Sequence, residues 1–318
     1  MMNPKPVIIV NPRAGLKAGL RTNAFGPADV EAVLARHGVE ADVWPTLRPD
    51  HATELAQRAV REDRPLAVAA GGDGTIAEVA AGLIGGATRL GVLPLGSIMN
   101  LARMLGVPRD LELAAEAIRA GRSVRIDAGR ASTAVGQRIF LEAAGVGVSA
   151  ALFAYSNQLD SGNWDSIRPL LRFLLRYRPR RVRVTIDGRP EQFRATMVTI
   201  ANGPLLGAAF EIAPEARLDD RQFNVRIFTA ASKHQLAAQL WAILRHGTAD
   251  QPGILTRRGR LVGVSGRRPL MVHADSKALG TTPARFELLP AALSVIVPER
   301  PVCEPALVEI GSRSRVAL

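Results

Sequence analysis

Over roughly the first 120 residues, short apolar runs alternate with stretches whose apolar positions recur at helical spacing. Pro6 to Val10, Leu66 to Ala70 and Leu90 to Leu93 are continuous enough to be buried strands. Asp29 to His37, His51 to Arg61 and Ile76 to Leu83 carry the helical period. This alternation predicts βαβ units around a parallel sheet. Each strand runs into a polar or glycine-rich loop, NPRAG (11–15), GGDGT (71–75) and PLGS (94–97). In an open parallel sheet, loops at the carboxyl ends of the strands form the ligand crevice. After Ile126 the texture changes. RVRVTID (181–187) alternates polar and apolar residues before an Asp-Gly turn, and RATMVTIAN, FNVRIFTA, PLMVHAD, RFELL and ALSVIVP follow as short strands. They predict a second, largely antiparallel domain with its boundary near Asp127. The expected division is 1–127, 128–298 and a proline-punctuated tail, 299–318, that returns to the first domain.

Composition narrows the function. Three hundred and eighteen residues exceed what one core usually serves, so two domains are expected. Aromatics are 4% of the chain, too few for base-stacking platforms, which argues against a nucleic-acid partner. The lone Cys303 excludes an intramolecular disulfide and a multi-cysteine metal site and suits a reducing, cytoplasmic setting. No apolar run reaches membrane-spanning length without a charge. The net charge of +12 favours polyanions, and nucleotide, anionic lipid and nucleic acid all qualify on charge alone. In IRPLLRFLLRY (167–177), Arg168, Arg172 and Arg176 are four apart on one helical face. That pattern reads either as a peripheral anchor on an anionic membrane or as a surface helix with its leucines in the core.

GGDGT carries the most chemistry. Its glycines allow close backbone approach, and Thr75 with Glu78 spells a capping box, so N–H groups at the helix start can face a phosphate. Asp73 among such donors would repel phosphate unless a cation lies between them, which points to Mg²⁺ held directly or through water. A plain strand-to-helix turn is the other reading of the same residues.

NPRAG, GGDGTIAEVAAGL, PLGS with LARMLGVP, VTIANGPLLGAAFEIAPEARLDD and HADSKALGTTPARFELLPAALSVIVP, in this order from about Val7 to Pro298, resemble the motifs of the diacylglycerol kinase catalytic family, in particular its soluble bacterial lipid kinases. The resemblance implies an N-terminal doubly wound α/β domain and a C-terminal, mainly antiparallel β-sandwich domain. It also implies phosphoryl transfer from ATP to a lipid hydroxyl in the cleft between them. By position, Asn11, Thr46, Gly72, Asp73, Gly74, Thr75, Gly96 and Ser97 would contact the nucleotide. Asp220, with the carbonyls of Arg217 and Gln222, would bind a structural Mg²⁺, and Asp275 would stand at the catalytic centre.

Three departures accompany it. Lys277 stands where bacterial members usually carry the Glu that accepts the proton; an ammonium there either stabilises transition-state charge, with Asp275 or a carboxylate acting through water as base, or points to solvent in an inactive relative. Arg221 replaces the glycine of the Asp-Asp-Gly segment, and Met99-Asn100 replaces the usual Asn and Asp. An NAD-kinase-like enzyme, which shares GGDGT, and a nucleotide- or lipid-binding module without turnover are the alternatives. AAGVGVSA (143–150) matches G-x-G-x-x-A but falls outside the leading βαβ units, and the histidines, His273 included, read as structural. The acceptor lipid and the oligomeric state are not encoded in any short motif.

Overall fold

The computed structural model describes residues 4–14, 16–17, 20–21, 25–150, 177–207, 210–229, 253–275, 277–301 and 306–307. Arg168, Arg172 and Arg176, the helix expected over 232–246 and Cys303 lie outside the described residues. The chain divides into one unit formed by 1–127 with 291–318 and a second formed by 128–290.

The first unit contains β1 (Val7–Val10), the short pair β2 (Leu16–Lys17) and β3 (Leu20–Arg21), α1 (Pro27–Arg36), β4 (Asp42–Pro45), α2 (His51–Arg61), β5 (Leu66–Gly71), α3 (Asp73–Leu83), β6 (Arg89–Pro94), α4 (Asn100–Met104) and α5 (Leu111–Ala120). Strand β5 lies between β1 and β6, with β4 beyond β1, and all these pairings are parallel. Every residue of β1 and β5 is buried, which explains the unbroken apolar runs. Local chemistry sets the helix starts: Pro27 occupies the first turn of α1, and the Asp29 carboxylate accepts the Gly26 N–H at 2.7 Å. Asp110 caps α5 by accepting the Leu113 N–H at 3.0 Å.

Strand β7 (Arg122–Thr133) carries the chain into the second unit, which holds β8 (Gly136–Phe140), β9 (Ala143–Gly147), β10 (Arg180–Ile186), β11 (Arg189–Ala195), β12 (Met197–Ala201), β13 (Leu205–Leu206), β14 (Phe210–Glu211), β15 (Phe223–Phe228), β16 (Ile254–Gly259), β17 (Leu261–Gly266), β18 (Met271–Ala274) and β19 (Lys277–Thr281). Strand β20 (Ala284–Val297) brings it back. One sheet runs β11, β10, β17 and the first half of β20; the other runs β16, β15, β12, β9, β18, β19. Their ladders are antiparallel. Val182, Val184 and Phe286 from the first sheet share one core with Val146, Ile200 and Phe223 from the second, the arrangement of a β-sandwich. Within that core Phe140 stacks on Phe223 at 5.5 Å and meets Phe286 edge-on at 6.5 Å.

Two details differ from the sequence expectation. RFELL and ALSVIVP form a single strand, β20, whose backbone turns left-handed at Ala291 (φ 46°) directly after Pro290. The return to the first unit therefore begins at residue 291, inside β20, and not at 299. The Asp127 carboxylate accepts the Ala291 N–H at 2.7 Å and Arg125 donates to the Ala291 carbonyl at 2.8 Å, so the main-chain groups at the bend keep partners.

Because Phe140 joins two other rings at the centre of the sandwich, Phe140→Ala should cost about 3–5 kcal/mol of stability. Urea unfolding of the two proteins measures this, and a loss below about 1 kcal/mol would contradict the packing described.

Candidate active site

In the first unit, four adjacent parallel strands end nearly in step. Val10 pairs with both Pro45 and Ala70, and Gly71 pairs with Pro94. Their next residues are Asn11 after β1, Thr46 after β4, Gly72 after β5 and Leu95-Gly96-Ser97 after β6. Parallel pairing thus gathers the loop residues expected to contact nucleotide at one end of one sheet. Further bonds tie the loops together: Asn11 Nδ2 donates to Thr75 Oγ1 at 3.1 Å, Thr46 N–H to the Val10 carbonyl at 2.8 Å and Leu95 N–H to the Gly71 carbonyl at 3.0 Å.

The turn itself corrects one expectation. Helix α3 begins at Asp73 with Gly72 as N-cap, so Thr75 sits within the first turn and is not the head of a capping box. Gly72 has no side chain to occupy the first-turn N–H groups. The glycines differ in what forces them. A Cβ on Gly96 would lie 2.7 Å from the Gly72 Cα, and one on Gly71 would lie 2.6 Å from the Thr75 side chain. A Cβ on Gly74 would meet nothing within 4 Å. Packing within the chain accounts for Gly71 and Gly96 and leaves Gly74 unexplained.

Asp73 faces the segment after β6. Its carboxylate accepts the N–H of Met99 at 2.8 Å and of Leu101 at 3.3 Å, holding the left-handed Met99 (φ 60°) and the start of α4. Burial pushes this carboxyl upward from its ordinary value, against the N–H groups of Leu101, Met99 and Asn100, which favour the charged form. The Met99 thioether accepts the Gly96 N–H at 3.2 Å, closing the turn. Arg109, which no motif marked, donates to the Ser97 carbonyl at 2.9 Å.

The second unit holds the remaining predicted residues. Asp275 lies in the turn between β18 and β19 with φ 48° and is 9% exposed. Its carboxylate accepts the N–H groups of Glu142 at 3.0 Å, Leu141 at 3.2 Å and Ala143 at 3.3 Å, and its own N–H returns to the Ala143 carbonyl at 2.9 Å. It therefore anchors the β8–β9 connection. Glu142, buried and missed by motif reasoning, accepts the Asn202 and Gly203 N–H groups on its carbonyl, both at 2.9 Å. Lys277 opens β19 opposite Ala274. Among the described residues, Asp73 stands in the first unit and Asp275 and Lys277 in the second.

His273 is fully buried. Its Nδ1–H donates to the Asp275 carbonyl at 2.6 Å and its Nε2 accepts the Ser149 hydroxyl at 3.2 Å. Burial lowers its pKa to about 4, against the raising effect of the Asp275 carbonyl. The ring takes the space over Gly145, where a Cβ would lie 2.4 Å from Nε2, and Gly147 has φ +96°. The G-x-G-x-x-A glycines thus serve a central antiparallel strand, not a dinucleotide loop.

Arg217, Asp220 and Gln222 lie in one connection before β15. The Asp220 carboxylate accepts the Gln222 N–H at 3.2 Å and its side-chain amide at 3.3 Å. Among the described residues no three acidic, His or Cys side chains cluster as a metal ligand set, so the fit to a structural Mg²⁺ is limited to this single carboxylate and nearby carbonyls. Arg221 adopts the left-handed conformation (φ 60°), which glycine takes without strain. Arg226, 2% exposed, ties the same connection to the sheet by donating to the Ile212 carbonyl at 3.1 Å and Thr256 Oγ1 at 2.8 Å.

Comparison with known proteins agrees with this architecture. Residues 5–131 match the diacylglycerol kinase catalytic domain, and residues 142–297 match the YegS C-terminal NAD kinase beta sandwich-like domain. The chain belongs to the diacylglycerol kinase catalytic family. A diacylglycerol kinase of Staphylococcus carnosus (strain TM300) is 26% identical over 94% of this chain and 96% of its own. One of Staphylococcus aureus (strain bovine RF122 / ET3-1) is 26% identical over 93% of each. The crystal structure of a diacylglycerol kinase from Bacillus anthracis str. Sterne has a TM-score of 0.71 at 20% identity, covering 95% of this chain and 100% of that one. The chain is accordingly an enzyme of the lipid-kinase class. No helix among the described residues is long and apolar enough to cross a membrane.

Two outcomes follow from these environments. His273 has a folded pKa below its unfolded value, so its contribution is fully present above about pH 6.5 and is lost as the pH falls toward 4, a change of about 3 kcal/mol. His273→Asn, which keeps a donor near Nδ1, should flatten the unfolding free energy between these pH values; an unchanged pH profile would refute the assignment. Arg221→Gly should stabilise the protein by about 1 kcal/mol, read as a raised thermal midpoint, because glycine adopts this backbone without strain.

Proposed function

We propose that the protein is an ATP- and Mg²⁺-dependent lipid kinase that transfers the γ-phosphoryl group to the hydroxyl of a diacylglycerol-like lipid. The observation that carries the nucleotide side is Gly74, bare over the start of α3 although no described residue needs the space. A helix start with an uncapped first turn, flanked by Asn11, Thr46 and Ser97 on neighbouring strand ends, is suited to phosphate oxygens. Magnesium, when bound with the nucleotide, supplies the charge neutralisation that phosphoryl transfer requires. Asp73 holds the 99–101 backbone beside the phosphate turn and reaches the cation through water, since backbone N–H groups already occupy its oxygens. The names of the relatives support diacylglycerol as acceptor.

In the second unit, Asp275 takes the hydroxyl proton and Lys277 stabilises developing phosphate charge. The three N–H groups on Asp275 support a further role, keeping the Leu141–Ala143 backbone in place. Neither role needs a protein nucleophile, in keeping with a reaction that depends on positioning and charge. Asp220 with the Arg217 and Gln222 carbonyls is the proposed structural cation site, and no chemical step passes through it.

The test uses mixed micelles with diacylglycerol, a sphingoid base, NAD or no acceptor. Formation of phosphorylated lipid is expected with diacylglycerol; turnover of NAD alone, or of nothing, overturns the reading. Gly74→Ala should lower kcat/KM for ATP at least about tenfold while leaving the unfolding midpoint unchanged or raising it, because alanine favours the helix by about 1 kcal/mol. Unimpaired use of ATP by that variant would remove the phosphate site from this turn.

A further inference from the structure

The outer face of the first sandwich sheet carries a concentration of unneutralised charge. Val182 and Val184 of β10 point into the core, so Arg181 and Arg183 point outward and are exposed. Arg194 of β11 lies directly opposite Arg181 in the ladder, and Arg183 pairs with Gln192 on one side and Ser265 on the other. On β20, Arg285 is exposed opposite Gly263. Arg267 and Arg268, in the turn after β17, extend the same edge and are exposed. Glu287, an acid on this face, is already ion-paired with Arg130 at 3.7 Å.

Like charges directly opposite each other across a ladder destabilise a sheet. Arg181 and Arg194 are such a pair, and among the described residues neither makes an ion pair with an acid that would offset the cost. The side chains between the arginines are small or uncharged, namely Thr185, Gln192, Gly263 and Ser265, so the guanidinium groups rise from a flat surface. A flat array of forked donors matches a plane of phosphate groups better than a single ligand. Among the described residues no aromatic side chain shares the face, so they offer no platform for stacking bases.

We propose that this sheet face, centred on Arg181, Arg183, Arg194 and Arg285, docks the protein on an anionic phospholipid bilayer. It takes its purpose from the lipid-kinase reading, because a water-borne enzyme with a bilayer-embedded acceptor works at the membrane surface. Its test does not depend on catalysis.

Wild-type protein without ATP is sedimented with vesicles of phosphatidylcholine alone or mixed equally with phosphatidylglycerol. Binding should require phosphatidylglycerol and fall steeply as salt is raised. Changing Arg181, Arg183, Arg194 and Arg285 together to Ser should weaken it at least about a hundredfold. The same four changed to Lys should retain most of it. A charge-matched control, Arg61, Arg89, Arg119 and Arg300 to Ser, lies in the first unit and should stay within about tenfold of wild type. Thermal midpoints of the sheet-face variants should match or exceed the wild type, since the substituted side chains are exposed, and the control should fall only slightly, because Arg61 and Arg119 stand in the last turns of α2 and α5. Equal vesicle binding by the serine variant, equal loss in the matched control, or binding of an RNA homopolymer in place of vesicles would overturn the proposal. Failure to phosphorylate a micellar lipid would count against the kinase reading alone, and phosphorylation without vesicle binding would count against the docking face alone.

Discussion

A single bend in a strand sets the register on which the first unit relies. Ala291 takes a left-handed backbone in the middle of β20, and its two main-chain polar groups are held by Asp127 and Arg125. A left-handed backbone is costly for a residue other than glycine, and at the half-buried Ala291 these two bonds help to hold it. Beyond the bend, β20 runs parallel to β6, pairing Val295 with Leu90, and β6 in turn carries the Gly96–Ser97 loop. Two side chains in β7 thus support one flank of the strand that leads to a candidate nucleotide loop, while the ladder with β5 holds the other.

The second unit applies the same physics with carboxylates. Asp275 gathers three N–H groups of the Leu141–Ala143 segment, and the Glu142 carbonyl gathers two more from Asn202 and Gly203. The Pro204 carbonyl accepts the N–H groups of Ile212 and Ala213, and Arg226 returns the Ile212 carbonyl to the sheet. A chain of backbone contacts therefore links the Asp275 turn to the connection that carries Asp220. Residues that resemble catalytic positions are also the ones that satisfy buried main-chain groups, so substituting them perturbs structure together with chemistry.

Much of this was legible before any coordinates. The unbroken apolar runs around Val7–Val10 and Leu66–Gly71 identified parallel strands because both faces of such strands are covered. The Asp187-Gly188 turn was equally plain, and both of its residues have positive φ. The start of α3 was misjudged because Thr75 and Glu78 satisfy a local capping pattern, whereas the hydroxyl is engaged by Asn11, sixty-four residues earlier. Glu142, Arg109 and Arg226 carry no local signal, since their partners lie well away in sequence and most are main-chain groups. RFELL and ALSVIVP, read as two strands, are one, because the bend after Pro290 is stabilised from β7, far away in sequence.

The two passages between units, in β7 and again in β20, have a bearing on synthesis at the ribosome. An α/β layer whose neighbour for β6 is contributed by residues near 295 cannot be completed when only its leading 127 residues have emerged. The nascent fragment must wait, with one flank of β6 uncovered, while the intervening sandwich is translated, so closure of the earlier portion is among the latest events in biogenesis.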